Sequence, residues 1–184
     1  MKGIVFTEFL EMTEDRFGAD TVERIIEESA LPSGAAYTTV GTYDHRELLR
    51  LVGQVSAATG LPVPTLVRTF GQHLFGRFTQ AYPKFFNGVG SAFDFLGKIE
   101  SYIHVEVRKL YPDAELPHFE YQYPGPGRMD MTYRSRCPFS DLAEGLILGC
   151  IEYFGQPIEL ARTNLDEGGG TAVRFSLTQR LPQR

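Results

Sequence analysis

Residues 118–135 read HFEYQYPGPGRMDMTYRS, and the fold turns on this stretch. Residues alternate along His118–Tyr123 and again along Met129–Ser135, with Pro124-Gly125-Pro126-Gly127 between the two runs. A period of two marks a strand, and a Pro/Gly cluster between two such runs marks a turn. The segment therefore predicts a pair of antiparallel strands. Downstream, Phe139–Phe154 carries Leu142, Leu146, Cys150 and Tyr153 at helical spacing. Ile158–Thr163 and Ala172–Leu177 then flank Asp166-Glu167-Gly168-Gly169-Gly170, which predicts a second hairpin. Upstream the period is helical throughout. Residues 2–17 place Val5, Phe9 and Met12 on one stripe, and Asp20 with Glu23 has the spacing of a capping box for the next helix. Asp44 with Glu47 repeats that start signal before Leu48, Val52 and Val55. Leu66, Phe70, Leu74 and Phe78 form the next stripe, and a single helix is expected from about Ser91 to Leu110. Helices followed by an antiparallel sheet with one inserted helix make an α+β class. The expectation is one domain over residues 1–184, with an N-terminal helical lobe over about 1–60 and the remainder over 61–184.

Composition narrows the function. The 184 residues are 42% hydrophobic and carry a formal net charge of −5, so the chain can bury a core and is not built to grip phosphate. Nucleic acid is excluded as a partner on that ground. Cys137 and Cys150 form no Cys-x-x-Cys pair, which argues against a disulfide scaffold and fits a reducing cytoplasm. Acids interrupt the opening MKGIVFTEFLEMTEDRFG, and no apolar run approaches the ~20 residues of a membrane span. The expected location is the cytoplasm, without membrane attachment. Fourteen Phe and nine Tyr with no Trp supply aromatic surface that could line a large flat cavity.

Among candidate chemical groups, His104 leads. In a regular helix Leu96, Ile99, Ile103, Val107 and Leu110 would form the core stripe, with His104 at its margin beside Ser101 and Gly97. Small neighbours leave room for something flat to approach the ring. Spacing alone leaves two readings, a half-buried histidine bonded to a backbone carbonyl or a metal ligand. His45 is expected to be exposed, and His73 and His118 are weaker candidates. The chain has no His-Glu-x-x-His, no nucleophile elbow, and no Lys-Ser/Thr after its triple glycine. No enzyme active site emerges. On the strand, Tyr133, Ser135 and Cys137 share one face while Arg134 and Arg136 take the other. The two hydroxyls suit a carboxylate ligand, and they equally suit an ordinary half-exposed strand.

Four stretches together carry a resemblance: MKGIVFTEFLE, AYTTVGTYDH, SYIHVEVRKLYPDAELPHFE and TYRSRCPFSDLAEGLILGC. In order and across nearly the whole chain, they resemble the H-NOX (haem-nitric oxide/oxygen binding) family. The resemblance implies a haem b (iron protoporphyrin IX) held between a helical distal lobe and a proximal lobe, with His104 as the axial iron ligand. Tyr133 and Ser135 match the first two members of the family's Tyr-x-Ser-x-Arg motif, which binds the propionates. Pro117, thirteen residues after His104, matches a proline that presses the macrocycle out of plane; a ring of fixed φ cannot rotate away from that load. The third motif position is Cys137 rather than Arg. A thiol cannot replace a bidentate guanidinium, so propionate binding should be weaker unless Arg136 turns inward. The family's cysteine-rich zinc site has no counterpart here.

The resemblance also bears on the gas. Iron-bound O₂ carries partial negative charge and needs a hydrogen-bond donor, whereas NO does not. Oxygen-binding members have a distal tyrosine nine residues after the motif tyrosine; that position is Leu142 here. The other expected pocket residues, Val5, Phe9 and Leu74, are also apolar. The implied protein is a sensor of NO, with CO as a second ligand, and not an enzyme. NO would break the iron–histidine bond and relax the haem, with Gly71 as a candidate flexing point. The chain ends soon after the last hairpin, so the signal is expected to pass to a separate partner, a histidine kinase or a cyclic-di-GMP enzyme. Two other classes compete, a thiol redox sensor centred on Cys137 and a tetrapyrrole-binding enzyme or carrier.

Overall fold

The Pro/Gly turn closes a hairpin whose strands run further into it than the alternation suggests. In the structure, a computed structural model describing residues 1–180, β1 spans His118–Gly125 and β2 spans Arg128–Arg134. Gly125 pairs with Arg128, the register slips between Gln122 and Gly125, and Gly127 turns the chain at φ 66°. Pro124 is tolerated because β1 is an edge strand, where a missing N–H costs no ladder bond. The second hairpin joins β3, Ile158–Asn164, to β4, Ala172–Gln179. The antiparallel sheet has the order β1-β2-β4-β3.

Register aligns the core-facing rows. Phe119 pairs with Tyr133 and Tyr133 with Val173; Tyr121 pairs with Met131 and Met131 with Phe175. The helix Ser140–Phe154 (α7) supplies Ala143, Ile147, Cys150 and Ile151 to the same core. Each large apolar side chain buried here contributes roughly 1.5–3 kcal/mol. Arg162, in the same row as Phe175, reaches out of the apolar layer to α7, where it donates to Glu144 at 2.9 Å, Asp141 at 2.5 Å and Ser140 Oγ at 2.8 Å.

Four long helices open the chain: α1 Gly3–Phe17, α2 Ala19–Ser29, α3 His45–Thr59 and α4 Val63–Ala81. The chain separates into two compact units inside α4, one ending at Phe70 and one beginning at Gly71. In the first unit, Asp44 caps α3 by accepting from Arg46 N at 2.9 Å. The capping box expected from Asp20 does not form: α2 begins at Ala19, directly after Gly18 at φ 86°, without a side-chain cap. Glu47 likewise does not cap. Its buried carboxylate accepts from Ser33 Oγ and Tyr37 Oη, at 2.5 and 2.7 Å. The buried stripe of α1 runs through Phe6, Phe9 and Met12, while Val5 is only half-buried. Phe6 wins that place by stacking on Tyr37, ring centroids 4.4 Å apart.

The single helix expected over residues 91–110 is broken. Helix α5 covers Ala92–Gly97, a π-helical turn covers Ile99–Ile103, and α6 covers His104–Leu110. Ile103 N bonds to Lys98 O and His104 N to Ile99 O, each five residues back. The wider turn rotates all that follows, so α6 does not continue the stripe of α5. His104 is its one buried residue, and Leu110, expected in the core, is 49% exposed.

Candidate functional site

The π turn places His104 where the regular helix would have left it at a margin. The side chain is buried, and its ring lies 6.2 Å from that of Phe119. Glu100, one turn earlier, holds the imidazole: His104 Nδ1 donates to Glu100 Oε1 at 3.1 Å. A carboxylate oxygen only accepts, so the proton sits on Nδ1 and Nε2 keeps its lone pair. Nε2 makes no hydrogen bond among the described residues. Burial lowers the pKa of His104 from its ordinary value and outweighs the upward pull of the Glu100 charge and hydrogen bond; the Arg108 and His118 charges lower it further. The result is a neutral imidazole with one nitrogen anchored and the other available.

The same carboxylate reaches the sheet. Glu100 Oε1 also accepts from Phe119 N at 2.9 Å, and Oε2 lies 3.4 Å from His118 Nδ1. A second tie, Tyr121 Oη to Leu96 O at 3.0 Å, binds β1 to α5. Half-buried Pro117 immediately precedes β1 and is held through these ties. Gly97 lines an open cavity of about 450 Å³ with Tyr123 and Met129, and a Cβ there would meet Tyr123 Oη at 3.2 Å; Ser101 faces solvent. His45 is half-buried rather than exposed.

Phe119 also bridges towards the strand motif, with its ring 5.7 Å from that of Tyr133. Tyr133 is buried, and its hydroxyl donates to Cys137 O at 3.3 Å. Ser135 Oγ accepts from Cys137 N at 3.1 Å, and Ser135 N donates to Thr171 O at 2.9 Å. Burial raises the pKa of the Tyr133 phenol, and the Ser135 hydroxyl pulls it partly back. The two hydroxyls therefore lie together, around the backbone of Cys137. Beyond Arg134 the burial still alternates: Ser135 and Cys137 are half-buried, and Arg136 is exposed. Leu74 and Leu142 are buried apolar residues of this second unit. Phe9 is buried against Phe70 in the first unit, with centroids 5.2 Å apart.

A buried neutral imidazole and adjacent strand hydroxyls are the donor types that a haem requires of its protein, an axial nitrogen and partners for carboxylates. The model of the haem-NO-binding (HNOB) family matches residues 2–162. The chain belongs to that family.

H-NOX proteins of known structure are similar along the whole chain. A crystal structure of the Fe(II) unliganded H-NOX protein from K. algicida shares 36% identity, with a TM-score of 0.93 and 100% and 99% of the two chains covered. The solution structure of the IWP-051-bound H-NOX from Shewanella woodyi, in the Fe(II)CO ligation state, shares 43% identity at a TM-score of 0.84, covering 98% and 95%. The H-NOX protein from S. oneidensis in the Fe(II)NO ligation state shares 25% identity at 0.90, covering 98% and 100%. No curated protein sequence matches the chain. As an H-NOX domain, the chain is a member of a family of haem-based gas sensors, and the α+β fold of four antiparallel strands and helices is the H-NOX fold. No helix among the described residues is long and apolar enough to cross a membrane.

Sequence reasoning singled out His104 but missed Glu100. The signal was present in the i, i+4 spacing of Glu100 and His104, which brings side chains together on a helix.

Proposed function

We propose that this H-NOX domain senses nitric oxide at a ferrous haem b held by His104. The reading rests on one observation above the others: His104 is buried, its Nδ1 is fixed by Glu100, and Nε2 is left as a ligand. The haem iron, when bound, supplies the gas-binding centre. Tyr133 and Ser135 would hold the propionates and Pro117 would press on the macrocycle; Arg136, exposed on the opposite face, would replace the arginine lost to Cys137 only by turning inward. Leu74 and Leu142 would line the distal side without a donor, and the other residues expected there from the resemblance, Val5 and Phe9, are apolar too. Iron-bound O₂ needs such a donor to offset its partial charge; NO and CO do not. The ligation states of relatives support the choice, since the S. oneidensis protein is described with NO and the S. woodyi protein with CO.

In this reading His104 would be the moving part: a shift of its side chain would carry α6 and, through Glu100, β1, and a separate protein would read the change. A histidine kinase or a cyclic-di-GMP enzyme in the cytoplasm fits that role, and the domain itself catalyses nothing. The test is an anaerobic visible spectrum of the ferrous protein before and after NO, with an air-exposed sample and His104→Gly alongside. The expected result is a nitrosyl spectrum with NO, no stable oxy spectrum in air, and loss of the parent ferrous spectrum in His104→Gly. A stable oxy spectrum overturns the NO selectivity, and an unchanged spectrum in His104→Gly overturns the ligand assignment.

A further inference from the structure

Glu100 touches both α6 and the start of β1 through the same carboxylate. Oε1 accepts from His104 Nδ1 at 3.1 Å and from Phe119 N at 2.9 Å, while Oε2 faces His118 Nδ1 at 3.4 Å. The site is half-buried, with 22% of the Glu100 side chain and 9% of the His104 side chain exposed, so water competes weakly for these bonds. Glu100 lies inside the π turn and His104 immediately follows it, so a local change of helix pitch brings carboxylate, imidazole and strand together.

We infer that Glu100 is a positioning residue that sets the strength of His104 as a ligand and ties the ligand to β1. A carboxylate on Nδ1–H fixes the tautomer and ring orientation and makes the other nitrogen more basic. The bond to Phe119 N makes the carboxylate a shared anchor: moving His104 strains the first residues of β1, two positions from Pro117. The inference deepens the proposed function and rests on His104 as the iron ligand.

Two variants separate the parts of this arrangement. Glu100→Gln removes the charge but keeps an acceptor oxygen, and Glu100→Ala removes both. The first readout is the iron–nitrogen stretching band of the ferrous holoprotein by resonance Raman; the second is amide hydrogen exchange at Phe119. In Glu100→Gln the band should fall in frequency while the Phe119 amide stays protected. In Glu100→Ala the band should fall further and Phe119 should exchange about tenfold faster or more, as expected when a charge-assisted hydrogen bond is lost. A merely structural role would speed exchange at Phe119 and leave the band in place. A band present in the parent, abolished in His104→Gly, and unmoved in Glu100→Gln overturns the inference and leaves the proposed function standing. A band that survives in His104→Gly overturns the ligand assignment and the inference with it. Because Glu100→Gln preserves size and acceptor, it decides the matter even if Glu100→Ala fails to fold.

Discussion

Tyr133→Phe separates the packing the structure gives this residue from the propionate contact proposed for it. The ring is 2% exposed and meets Phe119 and Phe175 edge-on, at 5.7 and 6.5 Å. Phenylalanine keeps that packing, so the variant removes only the hydroxyl. Within the protein the hydroxyl donates to Cys137 O at 3.3 Å, beyond the usual range of a hydroxyl donor, with the Ser135 hydroxyl and the Phe139 backbone close by. Its loss should cost no more than about 0.5–1 kcal/mol. For a chain of this length that is a fall in Tm of about 1–4 °C. A bond from the same hydroxyl to an ionised propionate would be worth about 1.5–3 kcal/mol, or about 10- to 100-fold in haem retention. Tyr133→Ala, which also removes the ring, should cost the fold about 3–5 kcal/mol. The assay pairs a thermal melt with the rate of haem transfer to a scavenging apoglobin. Tyr133→Phe should melt almost like the parent and lose haem at least about tenfold faster. Haem loss within about twofold of the parent would refute the propionate role; a Tm loss near that of Tyr133→Ala would refute the packing argument.

Arg162→Leu should destabilise the fold by about 2 kcal/mol, because it strands Asp141 and Glu144 together on α7 and strips a buried Ser140 of its donor; the partial exposure of the ion pairs limits the effect. A double-mutant cycle with Glu144→Gln showing no coupling would contradict this account. The loop between β3 and β4 should loosen in acid. Asp166 accepts from Thr171 Oγ1 and N at 2.7 Å and from Ala172 N at 3.0 Å; the Thr171 side chain leads in lowering its pKa to about 2. A carboxyl lowered on folding stabilises above its unfolded value, and that stabilisation fades from about pH 4 down through about pH 2. Amide exchange at Thr171, corrected for intrinsic rates, should rise across this window in the parent and stay flat in Asp166→Asn. Pro117→Ala should flatten the haem; a crystal structure of the loaded variant with unchanged macrocycle distortion would remove Pro117 from that role.

The α+β class, the two hairpins and every long helix except one were legible in the residues, because period-two and helical patterns are local properties of the chain. Resemblance supplied what pattern could not, the proposal that His104, Pro117, Tyr133 and Ser135 serve one site. The misreadings have a common cause. Val5 lost its place in the buried stripe to Phe6, since the winner was set by Tyr37, far along the chain. Asp20 had the spacing of a cap, but Gly18 started α2 too early for its side chain to serve. The stripe through Leu110 assumed 100° per residue, and one π turn made that count wrong. What the sequence determined by itself is the order of elements and the residue types available to a haem. What only the tertiary structure decided is which of them meet: the π turn buries His104, and Glu100 joins it to Phe119 nineteen residues away in the chain. Those are long-range hydrogen bonds and a change of helix pitch, fixed by the packing of α5, α6 and β1 against one another and invisible to any local period.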